Sequence, residues 1–193
     1  QKWIDQYGYL AGSAIVLGPT DVAGLSRGYD IFGEDIYKRP EVAHHLMDVA
    51  TDSIINFLKA QEEIGGKLHR LMVADDSIGF ISKRHFVEFS QPYIRRIFEA
   101  FPDATRILHC DANTTHLLDV IADTGMEVFN FDSNMDIALV KQKIGDRICL
   151  LGNIAQHQED REYLGARNRK LQIFPGSALT RKRPRLPSGV TIW

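Results

Sequence analysis

The sequence predicts an α/β protein that forms part of a (β/α)8 barrel. Two observations support this prediction: short β-branched runs alternate with helical patterns, and polar residues follow successive predicted strands. Three strand–helix units within about fifty residues indicate a parallel sheet joined by right-handed crossovers. A complete barrel takes about 250 residues, whereas these 193 residues contain six strand candidates. We therefore expect an incomplete barrel.

The composition fits one soluble globular domain. Of the 193 residues, 44% are hydrophobic and 25% are charged, with a formal net charge of −2. This charge gives no reason to expect nucleic acid or an anionic membrane as a partner. No apolar run approaches the roughly 20 residues of a transmembrane helix. Two cysteines, Cys110 and Cys149, are too few for a disulfide framework, so we expect a reducing, cytoplasmic location.

The elements are predicted from periodicity and from their terminal residues. A long helix is expected from Pro40 to about residue 63, and a second helical stretch over 82–101 is interrupted near Pro92. A third helix is expected to begin at Asn113 or Thr114, and a fourth to run from Asp136 to Gly145. The predicted strands are 13–17, 69–74, 105–109, 127–131, 147–151 and 171–174.

Polar residues collect directly after successive strands, and this favours the barrel over an open sheet. In a barrel these positions lie together on the C-terminal face, where active sites form. An open doubly wound sheet gathers only the positions near its switch point. The alternative at any one position is that the side chain caps the following helix. The residues concerned are Asp75, Asp76, Cys110, Asp111, Asp132 and Asn153.

The end of the chain has a different character. We divide the sequence into a partial barrel over residues 1–155 and an atypical basic tail over residues 156–193. From Arg161 to Trp193 there are eight basic residues and one acidic residue, Glu162. The tail is either a basic patch for an anionic partner or a solvated, disordered segment.

Several motifs keep a common order over about 140 residues. Together they resemble the uroporphyrinogen decarboxylase superfamily, which also contains cobalamin-linked methyltransferases. The resemblance implies that the chain is the C-terminal two-thirds of a (β/α)8 barrel. The N-terminal portion of the family, which carries an Arg-rich motif and a catalytic Asp, has no counterpart here. The matching motifs are Gly18-Pro19-Thr20, Asp76-Ser77, Pro92-Tyr93, Leu108-His109, Asn113, Gly145-Asp146-Arg147 and Gly152-Asn153-Ile154.

His109-Cys110-Asp111 is the stretch with the most chemical character. It resembles the His-x-Cys motif of the methyltransferase branch, which binds a zinc ion that holds an acceptor thiol as the thiolate. Residues i and i+2 of a strand face the same side. We therefore expect His109 and Asp111 as metal ligands and Cys110 to point away. A catalytic zinc normally has three protein ligands, so a third would come from Asp76, Asp132 or a segment outside this chain. The alternative is that His109 hydrogen-bonds in the barrel mouth and Asp111 caps a helix.

The resemblance also indicates residues for catalysis and substrate binding. Asp76 and His109 are the expected catalytic residues. Asp76 is expected in this role because clustered carboxylates raise each other's pKa, which suits proton transfer. Asp132, Gly152 and Asn153 are expected to bind the substrate at the mouth, with the glycine admitting a ligand close to the backbone.

The resemblance leaves three functions open. The first is methyl transfer between a methyl-corrinoid and a thiol or folate acceptor, with zinc as a cofactor. The second is uroporphyrinogen decarboxylation, which needs no metal, and the third is a non-catalytic truncated barrel. The expected partner is a small-molecule substrate or a corrinoid protein, and a homodimer is left open.

Overall fold

The computed structural model describes residues 12–153, which contain one parallel sheet of five strands. The strands lie side by side in chain order. An open doubly wound sheet reverses its strand order at a switch point, whereas a barrel keeps it sequential. The order therefore confirms the predicted α/β fold of the (β/α)8 type. The strands are β1 (Ser13–Leu17), β2 (Arg70–Ala74), β3 (Thr105–Cys110), β4 (Val128–Phe131) and β5 (Cys149–Leu151).

Six α-helices connect these strands. They are α1 (Pro19–Arg27), α2 (Tyr29–Lys38), α3 (Pro40–Gly65), α4 (Lys83–Phe89), α5 (Gln91–Ala100) and α6 (Ile137–Ile144). The helix predicted from Pro40 and the interruption near Pro92 are confirmed, since the proline lies in the first turn of α5. Helices α1 and α2 were not predicted.

The two faces of the sheet differ in how they are covered. Alternate residues such as Leu71, Leu108 and Phe129 are fully buried against the helices, together with Ile94 of α5. On the opposite face Ile15 is 70% exposed. The residues of β2, β3 and β4 that are aligned with Ile15 across the sheet are only half-buried. This second face corresponds to the interior of a barrel.

The helix predicted to begin at Asn113 or Thr114 is wrong. Two short 3-10 segments, Thr115–Leu117 and Ile121–Thr124, replace it. The Asn113 side chain accepts a hydrogen bond from the amide of Thr115, and the Thr124 hydroxyl donates to the Ile121 carbonyl. Such local side-chain bonds compete with helical hydrogen bonding. The apolar residues of the segment are nevertheless buried, as expected, and Gly125 ends it in the left-handed conformation with φ 86°.

The predicted strand 171–174 and the basic tail 156–193 lie outside the described residues. Within residues 12–153, no helix has the length and apolar character needed to span a membrane.

Candidate functional site

One row of side chains crosses the sheet at the carboxyl ends of its strands. Parallel pairing aligns Leu17 with Ala74, Ala74 with His109, His109 with Asn130, and Asn130 with Leu151. Paired residues in neighbouring strands project from the same face of the sheet. This register places His109 beside Asn130 on the interior face.

His109 has two polar neighbours. Its Nδ1 lies 2.5 Å from Asn130 Oδ1, and its Nε2 lies 3.4 Å from Asp111 Oδ2. The His109 side chain is 19% exposed and that of Asp111 is 48% exposed. The convergence of His109 and Asp111 agrees with the geometry expected of residues two apart in an extended chain.

Asp76 connects the end of β2 to the end of β3. Its Oδ1 accepts a hydrogen bond of 2.6 Å from the backbone amide of Asp111. On its other side Asp76 lines a cavity of about 430 Å³ between helices α1 and α2 and the 3-10 segment Asp76–Phe80. The apolar wall of this cavity consists of Tyr29, Phe32, Ile36, Phe80 and Ile81. Asp76 is thus the predicted catalytic residue that faces a cavity of ligand size.

Asp75 is a structural residue beneath the site. It is fully buried, and its carboxyl accepts hydrogen bonds from the amides of Thr20 and Asp21 in the first turn of α1. Asp21 in turn accepts from the amides of Asp76 and Ser77 and from the Ser77 hydroxyl. Burial, and then the nearby charge of Asp21, raise the pKa of Asp75 to about 8. The two carboxyls therefore join the ends of β1 and β2.

Asp132 and Asn153 shape the loop after β4. Asp132 Oδ1 accepts from the amide of Asn134 at 3.1 Å. The Asn153 side chain donates to the carbonyls of Ser133 and Met135, at 3.1 Å and 2.8 Å. These contacts bring the ends of β4 and β5 together at the same edge as Asp76 and Asp111. The expected common mouth is thereby present, although binding of a substrate by these residues stays a prediction.

Gly152 lies between β5 and Asn153. Its φ is +126°, a conformation that a residue with a side chain rarely adopts. A Cβ atom there would also come within 3.3 Å of the Phe131 carbonyl oxygen. The glycine is therefore required by the backbone itself.

Cys110 points away from the site, as expected. It is fully buried on the helix-covered face, and burial raises the pKa of its thiol above the ordinary value. In the part of the chain that the structure describes, no three His, Cys, Asp or Glu side chains are grouped to hold a metal ion. Asp76 and Asp132 therefore do not complete a three-ligand site with His109 and Asp111.

His109 thus lies beside the carboxylate of Asp111, and Asp76 connects this pair to a cavity whose wall is largely apolar. The sequence analysis did not identify Asn130, Asp21 or the apolar wall of the cavity. One signal for Asn130 was available: it is a polar residue inside an otherwise apolar strand, Val128–Phe131. The cavity wall comes mainly from α1 and α2, which were not predicted.

Comparison with known proteins places these features in a family. The family model described as uroporphyrinogen decarboxylase (URO-D) matches residues 13–158. The uroporphyrinogen decarboxylase of Chloroherpeton thalassium is 34% identical over 136 residues, which are 68% of this chain and 37% of that protein. The enzyme of the same name from Dechloromonas aromatica is 32% identical over 124 residues, 62% of this chain and 34% of that protein. The chain thus spans little more than a third of the length of these relatives.

A solved structure shares the fold. The methyltransferase from Methanosarcina mazei superposes with a TM-score of 0.67 and is 23% identical in sequence. The match covers 74% of this chain and 42% of the methyltransferase chain.

Proposed function

Since the chain belongs to the uroporphyrinogen decarboxylase family, we propose that it carries the active-site residues of a methyltransferase. The reaction moves a methyl group from a methyl-corrinoid to a thiol or folate acceptor. The protein that contains these residues is proposed to act in the cytoplasm on a small molecule or a corrinoid-protein partner.

The observation that carries this proposal is the approach of His109 Nε2 and Asp111 Oδ2, 3.4 Å apart at the end of β3. This strand end resembles the His-x-Cys motif of the methyltransferase branch, with Asp111 at the position of the cysteine. A ring nitrogen and a carboxylate oxygen at this distance can take up the proton that the methyl acceptor releases.

In the proposed step, an acceptor thiol gives its proton to His109 Nε2. The resulting thiolate forms the new sulfur–carbon bond, and the donor keeps the electron pair of the broken bond to the methyl carbon. Thiolate is the nucleophilic form of sulfur. Asp111 stabilises the protonated imidazole by its charge, while Asp76 holds the backbone of Asp111 in place at 2.6 Å.

Zinc would supply a second way of holding the acceptor as thiolate. A catalytic zinc normally has three protein ligands and an open position. His109 and Asp111 provide two, and residues 12–153 contain no grouping of three. The described residues thus do not fit a complete zinc site, and the proton transfer to His109 is proposed without it.

Decarboxylation of uroporphyrinogen is the second candidate. The names of the relatives, which are about one-third identical in sequence, favour it. Under this alternative, Asp76 at the cavity would stabilise a protonated pyrrole, and His109 would contribute little.

An assay of both reactions with the purified chain distinguishes the two candidates. We expect methylcobalamin and 2-mercaptoethanol to yield the S-methyl product, measured by mass spectrometry. His109→Gln is expected to lower this rate by about 100-fold, since general acid–base groups contribute roughly 10²–10⁴-fold.

His45→Gln is the matched control, because His45 is an exposed histidine of α3. We expect it to retain the wild-type rate. Consumption of uroporphyrinogen without thiol methylation, or a methylation rate unchanged in His109→Gln, would overturn the proposal.

A further inference from the structure

Asn130 makes two hydrogen bonds that determine how its amide is oriented. Its Nδ2 donates to the carbonyl of Leu151 at 2.9 Å. A carbonyl oxygen only accepts hydrogen bonds, so the NH₂ group has to be the one that faces Leu151. The amide oxygen of Asn130 therefore faces His109.

This orientation determines where His109 carries its proton. The Asn130 Oδ1 lies 2.5 Å from His109 Nδ1, and an amide oxygen cannot donate. His109 must therefore carry hydrogen on Nδ1. In the neutral ring, the lone pair is then on Nε2, which lies 3.4 Å from Asp111 Oδ2.

We propose that Asn130 is a positioning residue that holds His109 in the Nδ1–H tautomer, with the Nε2 lone pair turned toward Asp111. The role of this tautomer in methyl transfer rests on the proposed function, whereas the tautomer itself does not. Two acceptor atoms, His109 Nε2 and Asp111 Oδ2, then lie 3.4 Å apart. Nε2 can accept a proton from a substrate in this tautomer, whereas a neutral ring that already carries hydrogen on Nε2 cannot.

The opposite tautomer would be favoured without Asn130. Asp111 would then be the remaining polar neighbour among these contacts, and a carboxylate attracts the hydrogen to Nε2. A variant that removes the Asn130 acceptor is therefore expected to move the proton from Nδ1 to Nε2.

The test is the tautomer of His109 in the full 193-residue chain, measured from the ¹⁵N chemical shifts of its ring at a pH where the ring is neutral. The signals are assigned with His109→Gln. The wild-type ring is expected to be predominantly Nδ1–H. In Asn130→Leu the ratio of tautomers should change by about tenfold or more toward Nε2–H, the scale expected from one hydrogen bond.

Asn130→Asp is the conservative variant, since a carboxylate also accepts from Nδ1–H but cannot donate to Leu151. We expect it to keep the Nδ1–H tautomer, and it provides the test if Asn130→Leu does not fold. Asn134→Leu is the matched control, because that amide bonds Asp132 and no histidine. It should leave the tautomer unchanged.

An Nε2–H ring in the wild type, or an Nδ1–H ring in folded Asn130→Leu, would overturn the inference. Loss of the Nδ1–H tautomer in Asn130→Asp would overturn it as well. A wild-type Nδ1–H ring that changes as expected, in a chain that methylates no thiol, would instead refute the proposed function and leave the role of Asn130 intact.

Discussion

Asp75 and Asp76 are adjacent residues with opposite surroundings. Asp75 continues the helix-covered face of β2 and is fully buried, while Asp76 faces the cavity. The difference follows from the alternation of side chains along an extended chain. The same alternation separates buried Cys110 from His109 and Asp111.

Gly18 lies directly against Asp75. Its φ of −72° suits any residue, but a Cβ atom there would overlap the Asp75 side chain. Gly18→Ala is expected to lower the free energy of unfolding by about 1–3 kcal/mol, because the buried carboxyl has no space into which to move. Urea denaturation of the two proteins measures the difference.

Gly33→Ala is the control for this substitution. Gly33 is an interior residue of α2, and a Cβ atom there meets nothing within 4 Å. Alanine is expected to raise stability by up to about 1 kcal/mol through its helix propensity. Equal stability of wild type and Gly18→Ala would contradict the tight contact with Asp75.

At the scale of elements, helix termini were predicted well where one residue determines them. Asp136 caps α6, as expected: its Oδ1 accepts from the amide of Ala138 at 2.8 Å. Asp136→Ala is expected to cost about 1 kcal/mol of stability, the usual value of an N-cap. Asp136→Asn should retain most of it, since asparagine also caps helices. Thermal unfolding of wild type and the two variants measures these differences. If Asp136→Asn loses as much stability as Asp136→Ala, the helix cap is not the cause of the loss.

Other elements were not predictable from local pattern. Helices α1 and α2 contain Gly24 and Gly33, which weaken the apolar periodicity, and Gly28 separates them. Their stability comes from packing instead: Ala23, Phe32 and Ile36 are buried in a cluster with residues of α3, α4 and α5.

Strand β5 begins two residues later than predicted, because the amides of Arg147 and Ile148 donate to the Ile144 carbonyl at the end of α6.

At the scale of the whole molecule, the sequence predicts that the strand ends share one mouth, but not which side chains contact each other there. Parallel strands in sequential order bring Asp76, Asp111, Asp132 and Asn153 to one edge, and this follows from alternation of strands and helices alone. The pairing of His109 with Asn130 depends on register across β3 and β4. Register is set by contacts between distant segments, so a single sequence does not reveal it.

The buried carboxyl of Asp75 connects the stability of the whole fold to pH. In the unfolded chain this group has its ordinary pKa of 3.8, while burial and the charge of Asp21 raise its pKa to about 8 in the fold. Between these values the folded protein retains a proton that the unfolded chain has released. Raising the pH therefore favours unfolding. We expect the contribution of Asp75 to lower the free energy of unfolding from about pH 4 to about pH 8, and to change little above that.

Urea midpoints measured from pH 5 to pH 8 for wild type and Asp75→Asn isolate this contribution, because other titrating groups are common to both. Asparagine does not ionise. In the wild type, each oxygen of the Asp75 carboxyl accepts a hydrogen bond from one backbone amide, that of Thr20 or that of Asp21. The NH₂ group of asparagine cannot accept, so one of these two hydrogen bonds is lost in the variant. The variant is thus expected to be less stable than wild type at pH 5, by roughly 1–3 kcal/mol, with the difference shrinking as the pH rises. Asp30→Asn, which removes an exposed carboxylate of α2, should keep the wild-type slope. A difference between wild type and Asp75→Asn that stays constant over this range would show that Asp75 is ionised in the fold.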